Sequence, residues 1–318
     1  MSAGNRLEHA FAAARMYYDE GQTMETIAQS LAVSRSTVSR LLRDARDEGL
    51  VTISLHPPGA YRADELRHRL AERYGVRAHV VAAPEPGERE RLAAVAQAGA
   101  ALLEEMLEPD MTIGLAWGTT TSNLVSRLRP TPTPGLRIVQ LNGAINTEGS
   151  GMTYVSAVLA KAAGLWDATV HHFPVPAFFD HASTRQAMWQ ERSVQRVLHV
   201  QRQCTLAVFS VGAFDAEVPS HVYTNNYLTP EDRRSLRADG AVGDVCTVFL
   251  RADGTWKGIG MNNRSTGPSP AQLARIPRRL LLAAGSRKAV PLRAALRAGV
   301  ATDLVVDEVT AQSLLALG

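Results

Sequence analysis

The sequence predicts an α/β protein in two parts, an N-terminal helix-turn-helix unit followed by a large, mostly parallel α/β domain. Three observations carry this. Residues Thr23 to Glu48, TMETIAQSLAVSRSTVSRLLRDARDE, read as two short amphipathic helices joined by a tight turn. Beyond residue 75, short apolar runs alternate with helical stretches, the pattern of a parallel sheet covered on both faces. Between these parts, His56-Pro57-Pro58-Gly59 interrupts both periodicities and marks a boundary. A length of 318 residues fits one small and one large domain. The expected division is a winged helix-turn-helix domain over residues 1–56, a linker and connecting helix over 57–75, and the large domain over 76–318.

Leu7, Ala10, Phe11, Ala14, Tyr17 and Tyr18 give a leading amphipathic helix. Thr23 is an N-cap. Met24, Ile27, Ala28 and Leu31 recur at spacings of three and four and so share one helical face. Ala32-Val33-Ser34 is short enough to force a sharp turn, and Ser34 caps the second helix, whose inward stripe is Val38, Leu41, Leu42 and Ala45. The outward residues Ser34, Arg35, Ser36, Thr37, Ser39, Arg40 and Arg43 are the candidate contacts with double-stranded DNA. Arginine forks suit guanine edges and phosphates, and hydroxyls suit phosphate oxygens or bases. Gly49 ends this helix, and Leu50–Leu55 alternates as a short wing.

Overall charge does not make this case. Residues 1–55 hold six Arg and seven Asp or Glu. The positive charge is local: Arg35, Arg40, Arg43 and Arg46 stand against Asp44 within residues 34–46. A single recognition helix reads few base pairs, so a palindromic operator bound by paired domains is expected.

In the large domain, Asp64–Tyr74 is the connecting helix. Strands are expected at His79–Ala82, Thr112–Ala116, Arg137–Leu141, Thr169–Phe173, Leu206–Val211, Cys246–Leu250, Leu280–Ala284 and Leu304–Val306. Helices are expected at Arg89–Glu108, Ser122–Leu128, Tyr154–Ala163, Thr184–Leu198, Pro230–Ala238, Pro291–Ala298 and Glu308–Leu317. Ala252-Asp253-Gly254-Thr255 reads as a hairpin turn and thus as one antiparallel excursion. Ligands of such sheets bind beyond the carboxyl ends of the strands. Four loops there stand out: Trp117-Gly118-Thr119-Thr120-Thr121-Ser122, Asn142-Gly143-Ala144, the glycine-rich turn Gly240–Asp244, and Gly285-Ser286-Arg287-Lys288. Hydroxyls, cations and free N–H groups at helix N-termini suit an anionic small ligand.

Hydrophobic content is 45% and charged content 20%, ordinary for a globular chain. No apolar run approaches the roughly 20 residues of a membrane span, and the first residues lack the apolar core of a signal peptide, so a cytoplasmic location and no membrane partner are expected. Cys204 and Cys246, the only cysteines, sit in apolar runs and read as reduced core residues rather than a disulfide or metal pair. His171-His172 has no partner at metal spacing, so no metal site is expected. Of 34 cationic residues only Lys161, Lys257 and Lys288 are lysines, which restricts any amine chemistry to these three. Asp244 could serve an isomerase as a base, but no acid partner is evident, so no catalytic residue and no cofactor are assigned.

The motifs in order resemble the SorC-type sugar-responsive transcriptional regulators over nearly the whole chain. They are TIAQSLAVSRSTVSRLLRDARDEGLV, GLAWGTTTSNL, IVQLNGA, FPVPAFFD, GAVGDVC and LLLAAGSRKAVPLRAAL. The deoxyribonucleoside-regulator branch is the most similar. The resemblance implies an effector domain of the NagB/RpiA/CoA-transferase-like fold, a sugar or sugar-phosphate effector, and a homo-oligomer, dimeric or tetrameric. Carried over by motif, Gly118, Thr119, Thr120 and Thr121, together with Gly285, Ser286, Arg287 and Lys288, would hold a phosphate. Asn142, Gly143, Asp180, Gly243 and Asp244 would face sugar hydroxyls. Asn142 stands where the deoxyribonucleoside regulators would carry lysine. Asparagine can hydrogen-bond but cannot form an imine, so noncovalent binding is expected.

Overall fold

The computed structural model describes residues 3–51, 60–82, 87–145, 151–224 and 226–318. The chain divides into two compact units, Met1–Pro58 and Gly59–Gly318.

The first unit holds α1 (Ala3–Tyr18), α2 (Met24–Ser30) and α3 (Arg35–Asp47). Thr23 and Ser34 have extended backbones, and their hydroxyls accept from the backbone N–H three residues on, each at 3.2 Å. Ala32 adopts a left-handed φ of 53°, which reverses the chain between α2 and α3. Ile27, Val38, Leu41, Leu42 and Ala45 are buried against Ala10, Ala13 and Ala14. The expected apolar face of the leading helix is corrected here. Of that face Ala10 and Ala14 are buried and Tyr17 packs on the core beside Ala13 and Met16, while Leu7, Phe11 and Tyr18 are 41%, 55% and 39% exposed. Small side chains let α1 lie close to α3, which turns the large ones outward. Gly49, at φ +72°, follows the end of α3 in the left-handed conformation that glycine adopts at least cost. Most of the expected wing, residues 52–55, and the expected boundary at 56–59 lie outside the described residues.

The second unit runs α4 (Ala60–Tyr74), β1 (Arg77–Val81), α5 (Glu88–Glu105), β2 (Thr112–Leu115), α6 (Thr119–Val125), β3 (Arg137–Gln140), α7 (Gly151–Trp166) and β4 (Thr169–His171). It continues with α8 (Ala182–Met188), α9 (Arg192–Arg202), β5 (Leu206–Ala213), α10 (His221–Thr224), α11 (Pro230–Ala238), β6 (Ala241–Val245) and β7 (Val248–Arg251). It closes with α12 (Pro270–Leu273), β8 (Arg278–Ala283), α13 (Ala289–Arg297), β9 (Asp303–Asp307) and α14 (Glu308–Ala316). Seven strands lie in the order β1-β9-β8-β5-β2-β3-β4, every neighbouring pair parallel. The pleat divides their side chains between two cores. Leu280 and Leu282 join Leu103, Leu124 and Leu159 on one face, while Leu281 and Ala283 join Leu70, Leu292 and Leu314 on the other. Helix α4 belongs to this second core through Leu66 and Leu70.

The structure redraws two expected elements. The antiparallel excursion is β6–β7, and β6 also pairs antiparallel with β5. The expected glycine-rich turn is therefore strand β6, and the turn is Cys246-Thr247, with φ of 50° and 67°. Asp244 holds this non-glycine turn by accepting from Thr247 N at 2.9 Å. Gly243 instead lets β6 pass close to β5 and α13, since a Cβ there would lie 2.3 Å from Gly212 O and 2.7 Å from Pro291. The second change is in the expected helix Thr184–Leu198, which is two helices broken between Met188 and Arg192.

Candidate functional site

The strand order defines the site. From β2 the chain moves outward through β3 to β4, then returns to place β5 on the other side of β2. The carboxyl ends of β2 and β5 thus flank a topological switch point, where a crevice opens. The pocket found there, about 40 Å³ in volume, is lined by Trp117 and Gly118–Thr121 after β2, Asn142 after β3, Ser210–Ala213 at the end of β5, Asp244 and Thr247 from the β6–β7 hairpin, and Lys288 before α13.

Gly118, at φ +154°, turns the chain from β2 into α6 in a conformation that side chains disfavour. The first N–H groups of α6 have no acceptors within the helix. Thr120 and Thr121 are buried, and Lys288 Nζ donates to Thr120 Oγ1 at 3.3 Å. Burial lowers the Lys288 pKa, while Glu88, Asp244 and Asp307 oppose that shift. Asp244 accepts from Tyr223 OH at 2.5 Å, and burial raises its pKa despite this bond. Asn142 is 1% exposed, and its Oδ1 has no hydrogen-bond partner among the described residues. Trp117 forms a wall, with its Nε1 donating to Gly143 O at 2.9 Å.

A strap after β5, residues 214–224, runs beside these groups and contributes Val218, Ser220 and Val222 to the lining. One residue of the lining and two outside it hold it down. Thr119 Oγ1 donates to Pro219 O at 3.1 Å, Glu88 Oε1 accepts from Val218 N at 3.2 Å, and Arg287 Nη1 donates to Asp215 O at 3.0 Å.

Of the thirteen effector candidates, Gly118, Thr119, Thr120, Thr121, Asn142, Asp244 and Lys288 come together in this lining. The other six do not. Gly143 packs against backbone, where a Cβ would lie 2.3 Å from Pro176 O. Asp180 is exposed, and its carbonyl accepts from Arg264. Gly243 serves the β5–β6 approach. Gly285, at φ +104°, sits against the Glu88 carboxylate and donates its N–H to Asp307 Oδ2 at 3.1 Å. Ser286 and Arg287 face outward. Sequence reasoning missed Ser210, Thr247, Glu88 and Tyr223. Ser210 had a signal, as a hydroxyl next to the last residue of the expected strand Leu206–Val211. Tyr223 had none, because its link to Asp244 spans 21 residues.

In the first unit, Ser34, Arg35, Ser36, Ser39, Arg40 and Arg43 are exposed and Thr37 half-buried. Ser34 Oγ lies 2.8 Å from both Ser36 Oγ and Thr37 Oγ1, and Arg40 Nη2 reaches Thr37 Oγ1 at 3.4 Å. Arg35 stands 3.9 Å from Glu25. Cys204 and Cys246 are buried free thiols, and burial pushes the Cys204 pKa up to about 12.

A helix-turn-helix unit on the same chain as a doubly covered parallel sheet, with a polar pocket at its switch point, defines a ligand-responsive DNA-binding protein. Comparisons with known proteins agree. Residues 60–316 match the family model described as "Putative sugar-binding domain", and residues 15–48 match sigma-70 region 4. The deoxyribonucleoside regulator of Bacillus subtilis (strain 168) is 31% identical over 304 residues, covering 95% of this chain and 96% of that protein. The sorbitol operon regulator of Klebsiella pneumoniae is 26% identical over 308 residues, 95% of this chain and 96% of its own. Among solved structures, a domain of "a possible sugar-binding transcriptional regulator" from Arthrobacter aurescens TC1 matches with TM-score 0.75 and 42% identity, over 80% of this chain and 97% of that one. The full-length sorbitol operon regulator SorC from Klebsiella pneumoniae matches with TM-score 0.72 and 25% identity, over 98% and 99%. The chain belongs to the SorC-type family of sugar-binding transcriptional regulators.

Proposed function

We propose that this regulator changes its operator affinity when a sugar phosphate is held noncovalently in the switch-point pocket. In this reading residues 1–56 bind DNA, residues 57–75 join the parts, and residues 76–318 bind the effector and form the homo-oligomer, without catalysis. The observation that carries it is the buried Asn142 Oδ1, unpaired among the described residues, in a lining that also offers Lys288 Nζ beside Thr120. Buried polar atoms are almost always paired, so this acceptor fits a donor that arrives with a ligand. The Lys288 ammonium and the orphan N–H groups of α6 suit a phosphate. The names of the relatives support a regulator acting on DNA in the cytoplasm, and among the described residues no helix is long and apolar enough to cross a membrane.

Calorimetry with phosphorylated and free pentoses, hexoses and polyols tests the effector class. Lys288→Ala should weaken a sugar phosphate by about tenfold or more, since a charge-assisted hydrogen bond contributes roughly 1.5–3 kcal/mol. Borohydride should trap no adduct. A second reading, an unphosphorylated sugar, is favoured by the three carboxylates around Lys288. Tight binding of a free sugar, unchanged by Lys288→Ala, would select it. For DNA, Arg40→Ala should cost roughly 1–3 kcal/mol of operator binding at matched salt, the range for a base-contacting arginine. Light scattering and footprinting should find an oligomer protecting two half-sites related by a dyad.

A further inference from the structure

A second cavity, about 410 Å³, lies outside the switch-point pocket and takes no part in the effector binding proposed there. Its size is that of ordinary small-molecule sites, which the first pocket is not. It runs between α8, α9 and α12, and Leu141, the residue before Asn142, contributes to its wall. Arg185, Arg202 and Arg275 converge on it, with Trp189, Gln201 and Gln272 between them. No carboxylate is among the lining residues.

The groove is built rather than incidental. Arg185 Nε donates to Ser265 O at 2.6 Å, and its guanidinium lies 4.4 Å from the Trp189 ring centroid, which fixes the side chain in place. Half-burial lowers its pKa, the mark of a desolvated cation, and no ion pair offsets it among the described residues. Gln201 Nε2 donates to Gln140 O at 2.8 Å and to Leu141 O at 3.2 Å. Arg202 and Arg275 are exposed and also lack ion pairs among the described residues. The electrostatics therefore ask for negative charge, and the planar wall and amide groups suit an organic anion.

We propose that this groove is a second ligand site, distinct from the switch-point pocket, that takes a small multivalent oxyanion, a polycarboxylate or a phosphate, clamped by Arg185, Arg202 and Arg275. Paired arginine forks bind carboxylate and phosphate alike, so both classes are probed. The full chain is titrated with citrate and, separately, with inorganic phosphate by calorimetry at fixed pH and ionic strength. Saturable binding of at least one probe, one per chain, is expected. It should weaken about tenfold or more in Arg185→Gln and in the Arg202→Gln/Arg275→Gln double variant, as loss of charge-assisted bonds implies. It should persist in Lys288→Ala, which disables only the first pocket. The double variant alters exposed side chains and keeps the test decisive if Arg185→Gln fails to fold. Three results would overturn the proposal: no saturation with either probe, anion binding lost in Lys288→Ala but kept in the arginine variants, or a groove filled by a second copy. The last would appear as oligomers dissociating in the double variant with no anion bound by the parent chain.

Discussion

Asn142 Oδ1 is buried with no hydrogen-bond partner among the described residues, and an unmet buried acceptor costs about 1–3 kcal/mol. Asn142→Leu removes that cost and also removes the group available to a ligand. The variant should melt a few degrees higher without effector, given about 2–4 °C per kcal/mol in a domain of this size, and should bind the effector about tenfold or more weakly. Scanning calorimetry with and without effector reads both. Asp244 gives a pH signature. Burial raises its pKa above the ordinary 3.8, so the folded chain binds a proton that the unfolded chain releases. Stability from this group is therefore greatest below pH 3.8 and declines as pH rises from there through the raised value. Asp244→Asn keeps an oxygen for Thr247 N, can donate its NH2 to the Tyr223 hydroxyl oxygen, and has no charge to desolvate. Urea midpoints should show the variant gaining on the parent chain as pH climbs through that window, and a constant difference would contradict the raised pKa.

At the scale of elements, the hairpin and the loop after β3 show how backbone approach constrains side chains. A methyl on Gly143 would meet Pro176 O at 2.3 Å and Val175 O at 2.4 Å. Gly143→Ala should cost about 1–3 kcal/mol, the usual penalty of overpacking, measurable as a lowered melting temperature without any ligand present. Such approaches divide what the sequence shows from what it hides. Periodicity of two and of 3.6 located the parallel strands and most helices, because each buries a continuous face. It misplaced the β6–β7 turn, because Cys246-Thr247 takes positive φ without glycine and depends on the Asp244 carboxylate for support. It fused α8 with α9, because the interruption carries neither glycine nor proline. The threonine loop and Lys288 were legible from residue type at strand ends. Glu88 was not, since a glutamate in the first turn of a helix ordinarily faces solvent and complements the dipole.

The whole molecule carries an apolar stripe in its first unit, Leu7, Phe11 and Tyr18 on α1, each at least 39% exposed. The second unit carries the strap across the switch point. Bonds from Thr119, Glu88 and Arg287 are among those that fasten it, and with the strap in place the pocket is narrow, about 40 Å³. Thr119 thus both lines the pocket and fastens the strap, and the consequence is kinetic. Ligand entry is expected to wait for the strap to release, so the observed association rate should climb with effector concentration and then level off at the intrinsic release rate. Thr119→Val frees Pro219 O and should raise that plateau in stopped-flow tryptophan fluorescence, even where it lowers affinity. The response time of the regulator would then be set by how firmly the strap is fastened rather than by how abundant the sugar is.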